Sequence, residues 1–73
     1  MVINFKNSPM DIFVCGMWIK VRAASGDTWT AFIVSDREES IGNAKWESNG
    51  HLWRHLAFTA AMDALEHGEI STD

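Results

Sequence analysis

From residue 11 to residue 23 every odd position after Asp11 is apolar: Phe13, Cys15, Met17, Ile19, Val21 and Ala23. The even positions between them are Ile12, Val14, Gly16, Trp18, Lys20 and Arg22. A β-strand sends successive side chains to opposite faces, so a period of two separates these sets. The pattern predicts one long strand over 11–23 with the odd set as its core face. Cys15 is then a small buried hydrophobe, and Gly16 marks a bulge or a close approach of another element. A chain of 73 residues built around such a strand has room for a single small domain, 1–73, with a modest core.

Ala24-Ser25-Gly26-Asp27 reads as a turn, and the Thr-, Trp-, Phe-, Ile- and Val-rich run after it as a second strand over 28–35. Together they predict an antiparallel hairpin. The second strand has two apolar faces, Trp29, Ala31 and Ile33 against Thr28, Thr30, Phe32 and Val34, and the sequence leaves open which is inner. A charged connection, Asp36-Arg37-Glu38-Glu39-Ser40, leads to a weaker strand over 41–47, with Ala44 and Trp46 sharing a face. Residues 1–10 suit a lead-in or edge strand through Val2, Ile3 and Phe5, ended by Asn7-Ser8-Pro9.

Ser48-Asn49-Gly50 breaks the strand pattern and offers Ser48 or Asn49 as a helix N-cap. A helix is expected over 51–67. At about 100° per residue, Trp53, Ala57, Ala60, Ala61, Ala64 and Leu65 face the sheet, while His55, Thr59, Asp63 and Glu66 face water. Gly68 fits the left-handed C-cap position, Ile70 packs back, and 69–73 form a flexible acidic tail. The expected fold class is α+β: a small antiparallel three- to four-stranded sheet with one C-terminal α-helix packed on one face.

Ten acidic residues against six Lys and Arg give a net charge of -4, which weighs against nucleic acid as the primary partner. One cysteine makes no internal disulfide, so a reducing, cytoplasmic setting is expected. No basic start followed by a long apolar run marks a leader. No apolar run approaches the roughly 20 residues that span a bilayer, so no membrane partner is expected.

A lone helix covers one face of a sheet. The other face is expected to show Ile12, Val14 and Trp18, then Lys20 and Arg22, with Lys45 added by the last strand. Contiguous exposed apolar area marks interaction sites, and Trp and Arg are the residues richest in interface hot spots. Trp18, Lys20, Arg22 and Lys45 are therefore the expected partner contacts, with Ile3 and Phe5 docking a partner segment by strand addition. The competing reading is that residues 1–10 fold across this face and close the core. Of the four tryptophans, Trp18 is expected to be exposed and Trp53 to be core.

The residues do not assemble into a reaction centre. His51, His55 and His67 read as solvated, since a metal site needs further ligands. Glu38, Glu39, Glu66 and Glu69 read as solvated charges. No P-loop, dinucleotide glycine pattern or nucleophile elbow is present. No enzyme activity, cofactor or metal is expected. A small nucleic-acid-binding module using Trp18, Lys20, Arg22 and Lys45 is the alternative from a different class.

Two resemblances bear on function. Ile12-Phe13-Val14-Cys15-Gly16, and the segment from Ser48-Asn49-Gly50 through Leu65, resemble the first strand and first helix of the ribonuclease H fold. Cys15 stands where that family has a metal-binding Asp and Trp53 where it has a Glu, so two-metal nuclease chemistry is not expected. In length and character the whole chain is similar to small phage-encoded inhibitors of host bacterial RNA polymerase, of the Xanthomonas-phage transcription inhibitor and antiterminator type. Size and composition carry this likeness, and no motif does. It implies a host protein complex as partner, inhibition of transcription initiation, and the host bacterial cytoplasm as location. Anti-CRISPR and other host-defence inhibitors share the profile, and a homodimer would use the same kind of surface.

Overall fold

The structure, a computed structural model, describes residues 9–68 and Ile70. Ile3 and Phe5, with the rest of 1–8, Glu69 and 71–73, lie outside the described residues. The expectations for the lead-in strand and most of the acidic tail therefore fall outside them as well.

Among the described residues, four antiparallel strands run in sheet order β1-β2-β3-β4: β1 Met10–Val14, β2 Met17–Ala24, β3 Thr28–Val34 and β4 Trp46–His51. Helix α1, Arg54–Glu66, follows and packs on one face. The architecture is α+β, with its helix at the C-terminal end.

The long strand expected over 11–23 is two strands. Cys15 and Gly16 form the turn between them, at φ 53° and 78°, and Val14 pairs with Met17 across it. Two successive left-handed residues make the tight hairpin turn whose twist matches the flanking strands. The reversal also flips the parity. Phe13 pairs with Trp18 and Ile12 with Ile19, so odd residues of β1 share a face with even residues of β2. Met17, Ile19 and Val21 are buried as expected, but Phe13 is 59% exposed and Cys15 is an exposed free thiol. Ile12 and Val14 lie on the helix side.

β3 turns Trp29, Ala31 and Ile33 toward the helix, and all three are buried in one cluster with Met17, Ile19 and Val21. The fourth strand comes later than expected. Ile41–Asn43 is a 3-10 turn, and the ladder to β3 opens with Lys45 N–H donating to Ile33 O at 2.8 Å. Ser48-Asn49-Gly50 is not a helix cap but part of β4. Ala31 pairs with Ser48 and Trp29 with His51, so one extra residue is bulged out opposite Thr30. Gly50, at φ 79°, supplies the left-handed backbone that such a bulge uses. Prolonging β4 to His51 delays the helix to Arg54.

α1 presents Ala57, Ala61 and Ala64, all buried, to the sheet. Phe58, Met62 and Leu65 pack beside them, and Trp46 fills in from β4. His55, Thr59, Asp63 and Glu66 are exposed. Methyl-sized side chains let the helix backbone lie close to the sheet. Trp53 is the N-cap residue, in extended conformation and with no side-chain capping bond. It therefore leaves the helical meridian that would have carried it inward. It is 63% exposed, which corrects its assignment to the core. At the other end Gly68 adopts φ 68°, and Ile70 is buried against the core.

Candidate interaction surface

The face that α1 does not cover carries Asp11 and Phe13 from β1, Trp18, Lys20 and Arg22 from β2, Thr30, Phe32 and Val34 from β3, and Glu47 from β4. It is not bare. The charged connection after β3, residues 35–40, folds back over it as a strap. Lys20 Nζ donates to Arg37 O at 2.7 Å and to Glu39 O at 3.2 Å and sits 5.9 Å from the centroid of Phe32. The Arg37 guanidinium lies over Trp18 at 5.4 Å. Beneath the strap Lys20, Thr30, Phe32 and Val34 are buried.

Glu39 shapes the strap. Its Oε1 accepts from Ser35 Oγ at 2.8 Å and from the Asp36 N–H at 3.0 Å. Glu39 N–H in turn donates to Asp36 O at 3.0 Å. Its carboxylate is thus an internal cap rather than the solvated charge expected from sequence. Both side-chain bonds lie at the exposed surface and fix the turn over residues 35–39.

The expected cationic contact row does not stand free. Lys20 is turned into the strap by its two carbonyl acceptors. Arg22 Nη1 donates to Met10 O and Val21 O, at 3.2 and 2.9 Å. Its Nη2 is 2.8 Å from Asp11 Oδ1, an ion pair off the line of a hydrogen bond. Arg37 Nε approaches the other Asp11 oxygen at 3.7 Å. Trp18 is half-buried, with Phe13 tilted against it at 5.2 Å and 51°. Lys45 is exposed, just ahead of β4, on the opposite side of the sheet from β1. Sequence reasoning could not see the strap, because its charges read as solvent-facing.

Beside Phe13, 59% exposed on this face, a second group of exposed apolar side chains lies elsewhere. Leu52 is 69%, Trp53 63% and Leu56 43% exposed at the entry to α1. Leu52 and Trp53 are chain neighbours, and Leu56 follows one turn on, its N–H donating to Trp53 O at 3.1 Å. Residues three apart at a helix start share a side. Leu56 was findable: at about 100° per residue it stands a quarter turn off the Ala57 meridian. Trp53 was not, because four residues before Ala57 it would lie on the core meridian if the helix reached it.

The histidines do not form a helical pair. His51 ends β4 and His55 is in α1. The bulge puts Ser48 and His51 on one face, and Ser48 Oγ lies 2.8 Å from His51 Nε2. Among the described residues, no cluster of three or more His, Cys, Asp or Glu could hold a metal ion. No helix among them is long and apolar enough to cross a membrane. The ribonuclease H equivalences lose their positions, since Cys15 is in a turn rather than mid-strand and Trp53 precedes the helix. Comparison with family models, curated proteins and solved structures gives no match to this chain.

Proposed function

We propose that this chain is a non-enzymatic protein-binding module that acts by occupying a surface of its partner. The observation that carries the reading is the exposed set Leu52, Trp53 and Leu56, placed together along the chain at the entry to α1. Two leucines and a tryptophan turned to water are unfavourable in isolation and become favourable when covered. Tryptophan is also the side chain richest in interface hot spots. The contact is thus centred on the entry to α1, with Phe13 and Trp18 as a second apolar site, rather than on Lys20 and Arg22. The resemblance in size and character makes bacterial RNA polymerase the partner to test, with inhibition of transcription initiation as the consequence. The nucleic-acid alternative is weakened, because Lys20 is recessed beneath the strap and Arg22 is paired with Asp11, so the two do not form an open cationic row for a phosphate backbone.

The test is equilibrium binding of the chain to purified bacterial RNA polymerase, with Trp53→Ser as the decisive variant. Serine at the N-cap accepts from the first helical N–H groups, so the fold gains about 1 kcal/mol. Loss of a central tryptophan weakens binding by about 2 kcal/mol, roughly 30-fold. Opposite signs on fold and binding keep the two effects apart. Arg22→Ala would not serve, since it removes the closer of the two ion-pair partners of Asp11. No binding to polymerase at micromolar concentration rejects this partner. Equal binding by wild type and Trp53→Ser rejects the surface.

A further inference from the structure

A groove of about 430 Å³ opens on the strap side of the sheet. Lys20, Arg22, Thr30 and Phe32 line it from the sheet, and Glu38 and Ile41 from the far side. Its volume falls within the roughly 300–1,000 Å³ of small-molecule clefts. Its lining joins an apolar part, Phe32 and Ile41, to a cationic one, as ligand sites do.

The informative group is Lys20, which is only 9% exposed. A buried ammonium is unfavourable unless its charge is matched. Its N–H groups number three. Two are met by Arg37 O and Glu39 O, which are dipoles and not counter-ions. Among the described residues no carboxylate reaches ion-pair distance of Nζ. Glu39, whose own carbonyl is one of the two acceptors, turns its carboxylate Oε1 to Ser35 and Asp36 instead. Arg22 is already matched by Asp11. Among the described residues, the groove therefore holds one cation with no direct ion-pair partner, beside an aromatic ring and an isoleucine.

We propose that this groove binds a small organic monocarboxylate. Its carboxylate accepts the remaining Lys20 N–H, and its apolar body lies along Phe32 and Ile41. One negative charge is preferred over two, because Glu38 and Glu39 line the same groove and repel a phosphate dianion. The site is separate from the Leu52–Trp53–Leu56 surface, so it stands or falls independently of the proposed protein contact.

The test is a titration of the full chain followed through its backbone amide resonances. The probes are phenylacetate, its neutral analogue 2-phenylethanol, and inorganic phosphate. Phenylacetate should give saturable shifts at the amides of Thr30, Phe32 and Ile41. 2-Phenylethanol and phosphate should bind at least about tenfold more weakly, the worth of one charge-assisted hydrogen bond. Lys20→Met should lower phenylacetate affinity by a similar factor, with resonances of α1 unmoved. If Lys20→Met does not fold, Ile41→Asp carries the same expectation, because it sets a carboxylate at an exposed position on the groove. Absence of saturable shifts with phenylacetate at millimolar concentration overturns the proposal. So does equal affinity for 2-phenylethanol, or unchanged affinity in Ile41→Asp.

Discussion

Cys15 and Gly16 hold the β1–β2 hairpin at φ 53° and 78°. For an L-residue the left-handed region costs about 1–2 kcal/mol, and asparagine tolerates it better than most, which is why Asn-Gly dominates such turns. Cys15→Asn should therefore stabilise the protein by about 0.5 kcal/mol, a fraction of that cost, read as a higher urea midpoint. Gly16→Ala should lose about 1 kcal/mol. A Cβ there would meet no atom within 4 Å, so the loss reports backbone conformation and not a clash. If Cys15→Asn lowers the midpoint, the thiol does something for the fold beyond occupying a turn. The same two residues explain the largest misreading of the sequence. Val-Cys-Gly-Met carries no Asn or Asp to announce a turn, and a perfect alternation on either side of it reads as one strand.

At the scale of the element, α1 works through its alanines. Ala57 and Ala61 are fully buried and Ala64 nearly so, at helical spacings of four and three that keep one stripe against the sheet. Ala61→Leu inserts volume into a close contact and should destabilise by about 1–3 kcal/mol, measured as a drop in unfolding midpoint. Ala60→Leu, at a half-buried position, should change it by less than half as much. Equal effects at the two positions would mean that the helix does not seat on Ala61. The stripe was legible in the sequence because alanine spacing depends only on local geometry. The helix start was not, since it depends on how far the neighbouring strand runs, and a pairing bulge at Asn49–Gly50 decides that.

At the scale of the whole molecule, β2 and β3 are the interior strands and β1 and β4 the edges among the described residues. The interior pair is covered on one face by α1 and on the other by the strap. Ile19, Val21, Ala31 and Ile33 are wholly buried. Their amides should exchange with solvent only through global unfolding, whereas amides of residues 36–40 should exchange by local opening. Hydrogen exchange followed residue by residue checks this. Similar rates in the two sets would mean that the strap and the sheet open as one unit. The strap is also why the candidate contact moved. It closes over Lys20, Phe32 and Val34, and leaves three large exposed apolar side chains, Leu52, Trp53 and Leu56, at the entry to α1.

Local pattern determined the elements of this protein: two apolar strands joined at Ser25–Asp27, an alanine-striped helix, its glycine stop at Gly68, and from these the α+β class. Periodicity and turn chemistry act over a few residues, and a sequence displays them directly. Tertiary structure alone decided which side of each element meets water. One unannounced turn reversed the parity of β1, one bulge moved Trp53 outward, and one charged strap found carbonyl acceptors for Lys20. Each outcome depends on groups that are distant along the chain and adjacent only once it has folded.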